Sequence, residues 1–112
     1  MSDFKAEAKA LHVVTRAAHE IGAKAEVLAR LTDYAALLVA HDFTTEAANL
    51  LAVVLNHPDV PFDIYDRADD LWLDLEGRLC PRVIADAKEA ATFTTLRGAM
   101  DAAFALLDSG EA

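Results

Sequence analysis

The segment LLAVVLNHPDVPFDIYDRADDLWLDLEGRLCPRVIADA, residues 50–87, constrains this chain most. It opens with an almost wholly apolar run that stops at His57-Pro58. Proline fixes its own φ and pushes its predecessor out of the helical region, so His57-Pro58-Asp59-Val60-Pro61 reads as a rigid connector. An amphipathic stretch follows, and Pro81 then opens another helix, at the first helical position where proline is tolerated. This is the grammar of a helical hairpin leading directly into a third helix.

The rest of the chain agrees. Its hydrophobic fraction is 54%, above the ~45–50% of soluble domains, and much of that is alanine, which favours helix. Four glycines and three prolines among 112 residues leave few sharp turns, which argues against an all-β fold. The length predicts one domain, residues 1–112.

Six helices are predicted, at about residues 3–19, 24–40, 45–56, 62–78, 81–91 and 95–107, with a frayed tail at 108–112. Asp3 and Thr44 are predicted N-caps, and Cys80 precedes Pro81 at a third cap. Phe4, Ala8, Leu11, Val14, Ala18 and Ile21 recur at helical spacing and are predicted to form one buried face. Gly22 ends this helix or bends it. The third helix is apolar nearly all round and should be central. In the fourth, Ile64, Ala68, Leu71, Leu75 and Leu79 form an inner stripe, with Tyr65 and Trp72 widening one flank. Asp63, Asp66, Asp70, Asp74 and Glu76 lie mostly on the outer side.

Sequential helices joined by short loops predict an all-α fold of three antiparallel hairpins. The hairpin of residues 34–58 resembles a tetratricopeptide repeat, with its His41-Asp42-Phe43 turn, Ala47, Leu51 and closing Pro58. LLAVVLNHP, DRADDLWLDLEGRL and CPRVIADAKEA together resemble the C-terminal helical tail of large bacterial nucleotide-binding transcriptional regulators. The resemblance implies a right-handed tetratricopeptide-like stack, with a closed helical bundle as the alternative. It also implies a protein-binding or assembly role. It carries over no ATPase or DNA-binding activity, because the chain has neither a GxxxxGK(S/T) segment nor a basic DNA-reading helix.

Nineteen acidic and ten basic residues give a net charge of −9. That balance argues against nucleic acid and anionic membranes as partners and suits a basic one. The single cysteine excludes an internal disulfide framework and fits a reducing cytoplasm. The first residues lack the pattern of a signal peptide, and no apolar run approaches the ~20 residues of a membrane span.

Candidate chemistry is sparse. His12, His19, His41 and His57 raise a metal- or small-ligand-binding alternative. The HExxH and Glu-x-x-His spacings of helical metal sites are missing, however, and His41 and His57 fall at helix C-termini, where they suit the dipole. Asp66, Asp69, Asp70 and Asp74 make an acidic strip, read as a solvated face on which a basic peptide can dock. Cys80 is read as a buried, inert thiol rather than a nucleophile. Tyr65 and Trp72 are core residues or a binding hot spot.

The sequence therefore predicts a cytoplasmic, non-enzymatic protein–protein interaction or assembly module. It would need no cofactor or metal, and Tyr65, Trp72, Asp66, Asp70 and Asp74 are its candidate contact residues. Open apolar ends on stacked hairpins predict a twofold homodimer.

Overall fold

A computed structural model describes residues 4–109, with side chains described to Ala105. Six helices and no strands occur among them: α1 (Phe4–Glu20), α2 (Lys24–Ala40), α3 (Thr44–Asn56), α4 (Phe62–Glu76), α5 (Pro81–Ala91) and α6 (Leu96–Ser109). None is long and apolar enough to cross a membrane. The predicted Asp3 cap and the last three residues of the predicted tail lie outside the described residues, whereas Asp108 and Ser109 belong to α6.

The helix ends follow local chemistry. At the end of α1, Gly22 takes φ +75°. The Gly22 and Ala23 amides donate to the His19 and Ala18 carbonyls at 3.1 and 2.9 Å, a Schellman closure. The same closure ends α2, where Asp42 takes φ 66° and the Asp42 and Phe43 amides donate to the carbonyls of Val39 and Leu38. These two turns should respond oppositely to substitution. A Cβ at Gly22 meets nothing within 4 Å, so Gly22→Ala bears only the left-handed penalty and should lose about 1 kcal/mol. Asp42→Gly removes that penalty but gives the unfolded chain more freedom, so it should gain about 0.5 kcal/mol. Urea melts of the two variants check both signs.

Thr44 is not the cap of α3 but its first residue; Phe43 occupies the N-cap, with no side-chain hydrogen bond there. Cys80 does precede Pro81 at the N-cap of α5. Thr95 caps α6, its hydroxyl accepting the Gly98 amide at 3.0 Å.

α3 is the axis of the molecule. Ala47, Ala48, Leu50, Leu51, Ala52, Val53 and Val54 are all buried, because α2, α4, α5 and α6 pack around it. The α1/α2 and α3/α4 pairs pack as the sequence predicts, but α5 and α6 do not form a third packed hairpin. α5 is short, and its one narrow seam, Ile84, Ala87 and Ala91, is spent on α3. α6 packs on α3 and α1, so the first and last helices meet. A stack in which each hairpin touches only its neighbours makes no such contact.

Tyr34 of α2 locks this closure. It is fully buried, its hydroxyl donates to the Ala103 carbonyl of α6 at 2.9 Å, and its ring stacks on Phe104 at 4.4 Å. His12 of α1 stacks on Phe104 at 4.5 Å. Two buried threonines, Thr15 and Thr32, turn their hydroxyls back to the Leu11 and Leu28 carbonyls and so bring no unpaired polar atom into the core. Asp33 accepts from Arg30 at 3.0 Å and also from Arg67, which ties α4 to α2.

The inner seam of α1 differs from the predicted one. Ala8, Thr15 and Ala18 are buried and Leu11 is half-buried, but Val14 and Ile21 face solvent. The seam follows a four-three-four spacing through residues 4, 8, 11, 15 and 18, and residues 14 and 21 fall well outside that arc.

Candidate functional site

Because α5 packs chiefly on α3, it leaves a cleft on each side. The one toward α6 holds about 280 Å³, walled largely by alanines. The one toward α4 is larger, about 550 Å³, and chemically richer. α3 supplies Ala52, Leu55 and Asn56 to this larger groove, α4 supplies Tyr65, Asp69, Trp72 and Glu76, and α5 with its C-cap supplies Lys88, Ala91 and Thr92.

Helical geometry explains the α4 contribution. Residues 65, 69, 72 and 76 follow four-three-four spacing and share one face. Trp72 lies at the floor, 95% buried (relative exposure 5%), while Tyr65 stands at the rim with 40% of its surface free. The Lys88 ammonium sits over the Trp72 ring, 5.8 Å from its centroid. That contact holds a cation against the electron-rich face of the indole. The wall thus combines two aromatic rings with two carboxylates, Asp69 and Glu76.

Of the sequence-predicted contact residues, the structure brings Tyr65 and Trp72 together in this groove. Asp66, Asp70 and Asp74 are exposed on α4 but do not line it. Asp74 instead pairs with Arg78 at 3.2 Å. The groove's own carboxylates, Asp69 and Glu76, are the ones one turn from each ring. Four-three-four spacing from Tyr65 places both on its face, and so sets Glu76 apart from the outer face on which the sequence reading puts it. Phe62 and Leu73, exposed at 79% and 57%, stand beside the aspartates on the outer side of α4. Their spacing places them off the inner stripe, a signal legible in the sequence.

The histidines are dispersed. His12 stacks on Phe104, His41 meets the Phe4 ring edge-on at 5.0 Å, and His57 Nδ1 accepts the Asp59 amide at 3.1 Å inside the Pro58 turn. His19 and His57 line one recess of about 250 Å³. No group of three or more His, Cys, Asp or Glu able to hold a metal occurs among the described residues. Cys80 is exposed, contrary to the buried thiol expected from sequence. α5 docks through Ile84, Ala87 and Ala91, and this leaves its N-cap at the surface.

Comparison of the chain with protein-family models, with curated proteins and with solved structures finds no match.

Proposed function

We propose that this chain is a non-enzymatic interaction module whose α3–α4–α5 groove takes a basic, amphipathic segment of another protein. The observation that carries the reading is the convergence of Tyr65 and Trp72 with Asp69 and Glu76 on one wall of that groove. Aromatic anchors in a partly desolvated cleft dominate interface energetics, and carboxylates around them select a cationic partner. α4 adds long-range steering: Asp63, Asp66, Asp69, Asp70, Asp74 and Glu76 face a single Arg67, so this helix carries most of the chain's net charge of −9. Exposed Phe62 and Leu73 extend the apolar surface beside those charges.

In this reading the architecture is the closed helical bundle, supported by the meeting of α1 and α6. The resemblance to the tails of bacterial regulators contributes the role of an assembly module and nothing catalytic. The single cysteine fits a reducing, cytoplasmic setting.

The chain has one tryptophan, and it lies at the groove floor, so binding can be read without a label. A lysine- and leucine-rich amphipathic peptide should saturate a change in Trp72 fluorescence, and added salt should weaken it. Asp69→Asn and Tyr65→Ala should each weaken binding by roughly tenfold or more. Equal binding of a glutamate- and leucine-rich peptide, or no saturable change with either, would exclude this groove as a basic-segment site.

A further inference from the structure

We infer that the outer face of α1 joins two copies of this chain as an antiparallel, twofold α1–α1 pair centred between Val13 and Val14.

α1 is apolar on two separate faces. Its inner seam is used by the core. Its outer side presents Ala10, Val13, Val14 and Ala17, all exposed, with Val13 at 69% and Val14 at 46%. Ile21, at 81% exposure, continues the stripe one turn further, its amide still donating to the Ala17 carbonyl at 3.3 Å. At 100° per residue these five positions share an arc of about 100°, centred about 130° from the buried seam. Isolated exposed apolar residues are ordinary, but a branched row along one helix face marks an interaction surface.

The order of residues along the row identifies the occupant. A twofold interface is self-complementary: each residue meets its counterpart reflected through the axis. Reflection about the midpoint of Val13 and Val14 sets Val13 against Val14 and Ala10 against Ala17. Ile21 then falls opposite position 6, also an alanine. Every apolar position therefore meets an apolar position. The two alanines let the helix axes approach to the ~8–10 Å of close helix packing. On the edge of the stripe Lys9 and Arg16 stand with Glu20, so the like edges that meet carry both signs.

Charge selects the same face. Two chains of net charge −9 repel, and the repulsion is least where basic residues offset the acidic ones. In α1, Lys5, Lys9 and Arg16 outnumber Glu7 and Glu20, and no other helix has more basic than acidic residues. α1 is thus the helix at which a second copy approaches against the weakest field. This surface lies on a different helix from the groove and does not depend on the groove's function.

Light scattering behind a sizing column tests the pair on the full chain from low micromolar to near-millimolar concentration. The wild type should reach twice the 12.1 kDa chain mass. Val13→Glu should raise the dissociation constant by roughly a hundredfold or more, by placing two unpaired carboxylates at the axis. Because Val13 is exposed, helical circular dichroism and the melting temperature of the monomeric variant should stay close to those of the dissociated wild type. Register is tested in a Cys80→Ser background. Ala10→Cys protein mixed with Ala17→Cys protein should form a disulfide-linked pair on mild oxidation, and neither variant alone should. A wild type that stays monomeric, assembly beyond the dimer, a Val13→Glu variant that still dimerises, or efficient self-crosslinking of Ala10→Cys alone would each overturn the inference.

Discussion

Truncating Tyr34 to alanine should destabilise the chain by about 3–5 kcal/mol, the range for deleting a large buried ring. That is a large part of the ~5–15 kcal/mol by which domains of this kind are folded. Tyr34 has no exposed surface, and its ring meets two other helices, α6 through Phe104 at 4.4 Å and α1 through Phe4 at 6.4 Å. The hydroxyl and the ring can be separated. Tyr34→Phe keeps the packing and gives up only the bond to the Ala103 carbonyl, so it should lose about 1 kcal/mol. Alkali adds a second signature. Burial lifts the Tyr34 pKa from 10.0 to about 12, because the phenolate would be left in the core without water. Below pH 10 both folded and unfolded chains hold the proton, and the stability is fully present. Between pH 10 and 12 the unfolded chain releases it while the folded chain keeps it, so stability falls as pH rises, by about 2–3 kcal/mol in all. Urea melts of the wild type and Tyr34→Phe across this range check the account. The part of the alkaline loss due to Tyr34 should be present in the wild type and missing in the phenylalanine variant. Parallel curves would show that Tyr34 does not carry that linkage.

Tyr34 also marks the boundary of what the sequence reveals. Its place in the apolar face of α2 is evident from spacing, as are the helix breaks at Pro58, Pro61 and Pro81 and the central position of α3. These depend on local backbone chemistry or on one helix's own periodicity. Which helix covers which face does not. The Tyr34–Ala103 bond joins residues 69 apart, and no local pattern foretells that α6 returns to α1. Val14 and Ile21 are apolar and near helical phase, which points to the core, yet Thr15 holds the buried position by satisfying its hydroxyl on Leu11. Polarity alone thus misjudges α1, while the stricter four-three spacing identifies its seam. The groove shows the same division. Tyr65 and Trp72 share a face by arithmetic, but the cleft exists only because α5 docks on α3 and leaves its flank toward α4 open.

That division makes Trp72 and Tyr65 respond differently to the same truncation. Trp72→Ala should lower stability by about 3–5 kcal/mol, since its ring is 95% buried and fills the floor between α3, α4 and α5. For a chain of this size that corresponds to a fall in melting temperature of roughly 12–20 °C. It also strips Lys88 of the ring beneath its ammonium, so Lys88→Ala in the Trp72→Ala background should cost less than it does in the wild type. Tyr65→Ala removes a ring that is already 40% exposed and touches the rim, so its stability loss should stay near 1 kcal/mol or below. Calorimetric melts of the single variants and the Trp72/Lys88 double variant give all these numbers together. If Tyr65→Ala also costs about 3–5 kcal/mol, Tyr65 is part of the core and not free at the rim to meet a partner. If Trp72→Ala is as mild as Tyr65→Ala, the floor of the groove is already open to water, and the cleft lacks the dry apolar base that a docking segment needs.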